Sequence, residues 1–158
     1  MSTRGRKAAE QYGQKLPTFP DLESARRALL AQRDADLEAL RRTLVSSDAF
    51  EPDFRPESLK DLEAWYFELW EADAFEAHGS ARAEVERGMA MYFCEILVRH
   101  VDGMQWSVGP FAFDPERYEI GVERPGYVLR MQRCTDHFET PNNKRRQSLW
   151  RRYKELAG

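Results

Sequence analysis

GMAMYFCEILVRHVDGMQW, residues 88–106, carries one charge, Glu95, between Gly88 and Val98, in a chain whose residues are 32% charged. Mapped at about 100° per residue, Met89, Tyr92, Phe93, Ile96 and Leu97 share one helical face. Ala90, Met91, Cys94 and Val98 cover most of the other. A helix bordering water keeps a polar face, whereas one apolar nearly all round is enclosed by other elements. The pattern predicts a buried central helix near 81–101, capped by Ser80, with Glu84 and Glu86 in its early turns and Asp102-Gly103 as its stop.

The flanking stretches supply what would enclose it. Leu22, Ala25, Leu29, Leu37, Leu40 and Leu44 recur at helical spacing behind the N-cap candidate Asp21, with one longer step between Leu29 and Leu37. Pro52 and Pro56 make residues 48–56 an extended connector, and Pro56-Glu57 opens the next helix. Leu59, Leu62, Trp65, Tyr66, Leu69 and Trp70 give that helix a wide aromatic face. Beyond the central helix, MQWSVGPFAF (104–113) reads as a strand interrupted at Gly109-Pro110. Tyr118, Ile120 and Val122 alternate with Glu119, Gly121 and Glu123 as a half-buried strand. Pro125-Gly126 is a turn, and YVLRMQRC (127–134) supplies a third strand. Thr140 and Pro141 open a last helix over about 141–156, with Leu149, Tyr153 and Leu156 on one side. The fold class is therefore α+β: helices packed on a small antiparallel sheet of about three strands, with a C-terminal helix. Residues 1–20 read as a flexible N-terminal arm, and 21–158 as one domain in which the 21–45 helix is semi-independent. A chain of 158 residues suits a single core.

Composition bounds the function. No run approaches the ~18 apolar residues of a membrane span, and the basic start MSTRGRKAAEQYGQK lacks the apolar stretch of a secretory signal. Cys94 and Cys134 form no CxxC pair; they predict reduced thiols and a cytoplasmic protein. The net charge of −3 hides a sorted distribution. Ten acids stand against Arg55 and Lys60 over 48–76, whereas 141–154 holds six basic residues and no acid. Such runs form solvated faces or steer an oppositely charged partner.

Few residues offer chemistry. Glu95, alone in an apolar helix, needs a cation or hydrogen-bond donor, and Arg99 four residues on is placed to supply it. An arginine of the last helix could share that carboxylate. The catalytic alternative groups Glu95, Arg99, Glu119 and His137 around a pocket, with Glu123 as a further strand carboxylate. His137 lies in TDHFETPNN, beside a helix N-terminus where an anion could bind. His78, His100 and His137 lack ligand spacing, so neither a metal site nor a cofactor is expected. His100 reads as a hydrogen-bonded core residue or helix-end cation. A nucleic-acid reading rests on the basic 141–154 helix, but its charges are scattered around the helix and the isoelectric point is near 5.7.

FEPDFRPESLKDLEAW (50–65), MYFCEILVRHVDGMQWSVG (91–109) and YEIGV (118–122) together resemble small uncharacterised bacterial α+β proteins over about 50–125. In those, an ESL-initiated helix precedes a helix with a YxGE-like ending and a G-x-W step into a sheet. Cys94 stands where such sequences commonly have glycine. Immunity and accessory proteins of toxin or secretion loci are similar in build, so the resemblance implies an interaction role and carries over no catalytic residue. The resulting expectation is a protein-binding, immunity-like or adaptor protein of a bacterial system. Its partner would be a protein, basic in character, met by an acidic face around 48–76 that includes Glu63, Trp65, Glu68, Trp70, Glu71 and Asp73. The 21–45 helix is a second surface, suited to pairing with another copy.

Overall fold

The computed structural model describes residues 7, 11–76, 81–131 and 147–158. Helix α1 runs Leu22–Ser46, α2 Ser58–Ala72 and α3 Arg82–His100. Strands β1 (Gln105–Phe111), β2 (Asp114–Arg124) and β3 (Tyr127–Arg130) follow, and α4 (Ser148–Ala157) closes the chain. The strands form one antiparallel sheet in the order β1-β2-β3. The architecture is the expected α+β.

α3 is the enclosed helix. Val85, every residue from Gly88 to Cys94, Ile96 and Leu97 are buried. Its larger cluster joins Leu40 and Leu44 of α1, Leu59, Leu62 and Tyr66 of α2, Val122 of β2 and Leu149 of α4. A smaller one joins Met91 to Ala25, Val108, Tyr118 and Ile120. α1 presses on α3 at Gly88, where a Cβ atom would fall 2.9 Å from the Leu40 Cβ and 3.3 Å from the Asp36 carbonyl oxygen. Asp21 caps α1 as expected, its carboxylate accepting the Ser24 N–H at 2.7 Å.

Local readings shift in several places. Gly109-Pro110 does not interrupt β1, which pairs with β2 throughout; the register slips only between Pro110 and Phe111. Proline's missing donor is harmless at a strand edge or bulge. β2 is not half-wet, because residues 118–122 are all buried, Glu119 among them. The N-cap of α3 is Ala81 without a side-chain cap, and Gly103 (φ +78) turns the chain two residues beyond the C-cap Val101. α2 begins at Ser58, with Pro56 in the turn before it. α4 begins at Ser148 behind a left-handed Gln147; Ser80, Cys134, Thr140 and Pro141 lie outside the described residues. His100 is exposed rather than in the core, its Nε2 sharing a hydrogen bond of 2.9 Å with the Phe54 carbonyl.

Residues 12–19, within the stretch read as an arm, form a strap along the first half of β2, which β3 does not reach. Thr18 bridges to Arg117, and the backbone bonds Phe19 N–H to Glu116 O (3.1 Å) and Tyr118 N–H to Pro17 O (3.2 Å) flank it. The Arg117 guanidinium donates to the carbonyls of Gln14 and Leu16. On α1, the exposed large apolar side chains Leu22 and Val45 stand at opposite ends, roughly 35 Å apart at ~1.5 Å rise per residue.

Replacing glycine by alanine inside a helix ordinarily stabilises it by about 1 kcal/mol. At Gly88 the new methyl overlaps Leu40, and overpacking costs ~1–3 kcal/mol. Gly88→Ala is expected to lower the urea midpoint; a rise would show that α1 and α3 are not held this close.

Candidate functional site

The apolar stripe of α1 has a polar insertion. Gln32 and Asp36 fall in the longer step between Leu29 and Leu37; Gln32 is exposed, whereas Asp36 is only 7% exposed. Beside them a cleft of about 590 Å³ opens between α1, the first half of α3, the strap and the edge of β2. Phe19, Leu29, Met91, Ile120 and Met131 make much of its wall apolar, and Gln32, Asp36, Arg87 and Glu119 bring polar groups to it.

Asp36 is poorly satisfied. Its Oδ1 accepts from Gln32 Nε2 at 3.0 Å, while Arg87 Nε stands 3.9 Å away, beyond hydrogen-bond reach. Its Oδ2 is buried without a hydrogen-bond partner among the described residues. Burial pushes the Asp36 carboxyl above the usual range, against the opposing pull of Gln32 and Arg87. Glu119, 8% exposed, is raised for the same reason, opposed by the charge of Arg130 and a hydrogen bond from Tyr12. Arg130 is itself fixed across the sheet, donating to the Ser107 carbonyl at 3.1 Å and hydroxyl at 2.7 Å.

The residues expected to carry catalysis do not gather here. Glu95 uses both oxygens: Oε1 accepts from Arg99 Nε at 3.1 Å and Oε2 from Trp106 Nε1 at 2.8 Å. The expected helix pair is present, but the third member is a tryptophan of β1 rather than an arginine of α4. Glu95 and Arg99 line a separate, shallower groove with Arg33, Phe54 and Trp106, whereas Glu119 lines the main cleft. His137 lies outside the described residues. Among the described residues no group of three His, Cys, Asp or Glu could hold a metal ion, and no helix is long and apolar enough to cross a membrane.

The acidic aromatic face divides into an inside and an outside. Trp65 is 7% exposed and Glu63 2%, Trp70 is half-buried beneath the Arg82 guanidinium at 3.7 Å, and only Glu68, Glu71 and Asp73 are exposed. Glu63 lies inside because α4 covers that flank of α2. Glu63 Oε1 accepts the N–H groups of Leu149 (2.7 Å) and Trp150 (3.2 Å), sealing the first turn of α4. On α4, Arg152 reaches the Tyr127 hydroxyl at 3.3 Å, and Trp150 stacks on Tyr153 with Lys60 over its ring at 4.6 Å. The aromatics of this basic helix are therefore engaged in packing. Lys144 and Arg145 lie outside the described residues.

Burial drives the Glu63 carboxyl from 4.5 up to about 7, against the pull of the α4 amides and Arg151. Between those values the unfolded chain loses this proton and the folded chain keeps it. The associated stability is full below 4.5 and is lost as pH rises through about 7. Its size is about 3 kcal/mol at most. Glu63→Gln is expected to flatten the fall in urea midpoint across that window, with Asp36 and Glu119 retaining a smaller slope of the same sign. An unchanged slope would exclude Glu63 as its source. Glu95 gives a second check: Glu95→Ala, which strands the Trp106 N–H, is expected to cost ~1–3 kcal/mol, and Glu95→Gln, which keeps an acceptor, clearly less.

Neither curated proteins nor solved structures give a significant match to the chain. A protein-family model described as Uncharacterised protein YwmA matches residues 18–157, a span running from the end of the strap through α1, the sheet and α4. On that match, the chain belongs to the YwmA family of small bacterial proteins.

Proposed function

We propose that the protein is a binding protein whose recognition site is the cleft between α1, α3, the strap and β2, where it takes a small, largely apolar ligand. The observation that carries this reading is the cleft itself. Its volume of about 590 Å³ falls within the ~300–1,000 Å³ of small-molecule sites, and its walls combine apolar side chains with a few convergent polar ones. Binding is favoured over catalysis because the carboxylate expected to act as a base, Glu95, has both oxygens engaged. Ala28 on α1 and Ala83 on α3 are exposed rim residues, so tryptophans there would obstruct the cleft without entering the core. In ligand-observed NMR, 4-phenylbutanol is expected to bind the native protein and to bind Ala28→Trp/Ala83→Trp at least about tenfold more weakly. No binding to the native protein, or equal binding to both, would overturn the reading.

A second reading keeps a protein partner, as for an immunity-like or adaptor protein of the bacterial cytoplasm. It draws on the end of α2, where the exposed C-cap Asp73 stands with no basic residue in the last turn. Cations are the stabilising choice at that end of a helix, so an acid there suits a basic docking surface. A protein captured at low salt by the native chain and lost on Glu68→Lys/Glu71→Lys would support it; capture that survives the charge reversal would count against it.

A further inference from the structure

We infer that the ligand of the cleft is an organic cation, a primary ammonium or guanidinium group on an apolar body, received by the carboxylate of Asp36. This rests on the cleft reading above. A carboxylate has room for about four donors, and Asp36 has one, from Gln32. The remaining oxygen is buried and unpartnered among the described residues, and Asp36 lines a mainly apolar cavity. Leaving a buried charge so poorly paired is costly. The cost falls on a position of the α1 stripe where a leucine would complete the packing. χ2 of aspartate is broad, so a modest turn presents an under-donated carboxylate oxygen to a ligand in the cleft.

The three ligand classes differ in what they do for this group. A neutral apolar molecule expels water from the cleft and leaves Asp36 as unsatisfied as before. An anion adds repulsion from Asp36 and Glu119. A cation supplies the missing donors through a charge-assisted bond, and its apolar body covers Met91, Leu29 and Ile120. Two cations already line the cleft. Lys15 is exposed. Arg87 has a side chain 44% exposed and stops at 3.9 Å, so it competes for Asp36 without occupying it.

The test uses three molecules with one body, 4-phenylbutylamine, 4-phenylbutanol and 4-phenylbutyrate, titrated calorimetrically at neutral pH into the full chain. The amine is expected to bind about tenfold more tightly than the alcohol, and the butyrate most weakly. Asp36→Asn is isosteric and keeps the contact with Gln32; it should erase the amine's advantage and leave the alcohol's affinity in place. Arg87→Met removes the competing cation at an exposed position and should tighten amine binding several-fold, an outcome readable even where Asp36→Asn fails to fold. If none of the three binds, the cleft reading itself falls and this inference with it. If the alcohol or butyrate equals or exceeds the amine, the cleft stands and the cation is overturned. An amine advantage surviving Asp36→Asn, or unmoved by Arg87→Met, would remove Asp36 from the role.

Discussion

A helical stretch buried on every side has to be covered from every direction, and Gly88–Cys94 of α3 imposes that condition on the rest of the chain. Each covering element meets it differently. α1 crosses close because Gly88 carries no side chain. α2 contributes aromatic bulk through Trp65, Tyr66 and Phe67. The sheet closes another side with Val108, Ile120 and Val122, and the short α4 completes the enclosure by inserting Leu149. Covering layers only one element thick bring their own polar side chains close to the interior. Asp36, Glu63 and Glu119 are all buried carboxylates of the cover, none of them from α3 itself.

Those three acids are resolved in different ways. Glu63 finds backbone donors at the start of α4, converting the charge on one layer into the cap of the next. Glu119 lies within the influence of Arg130 and Tyr12. Asp36 borders the same cleft as Glu119, and one of its oxygens has no hydrogen-bond partner among the described residues. Burial raises all three, yet only the last combines a deficit of donors with space for something to supply them.

Much of the architecture was legible from residue spacing. The uncharged run around Tyr92 marks α3, the leucine steps and Asp21 mark α1, and Gly126 (φ +80) marks the hairpin between β2 and β3. The cleft was not legible, because it depends on where elements distant in sequence diverge. One sign of it was present: the long step from Leu29 to Leu37 holds Asp36 at a buried position, with Gln32 one turn before it. The reading of Trp65 and Glu63 as exposed failed for a related reason. Amphipathic patterns show which side of a helix is apolar, but whether a flanking acid is wet depends on a neighbour, here α4, that packs from 86 residues away.

The strap adds a kinetic dimension. It meets the sheet through one bridge with flanking backbone bonds, Arg117, and ring contacts of Tyr12 with Phe111 and Phe19 with Tyr118, while much of its length is exposed. Such surface segments open at lower free energy than the core beneath them. The strap is also one wall of the cavity, so under the proposed binding role its local opening would set how fast a ligand exchanges while the buried helix stays closed.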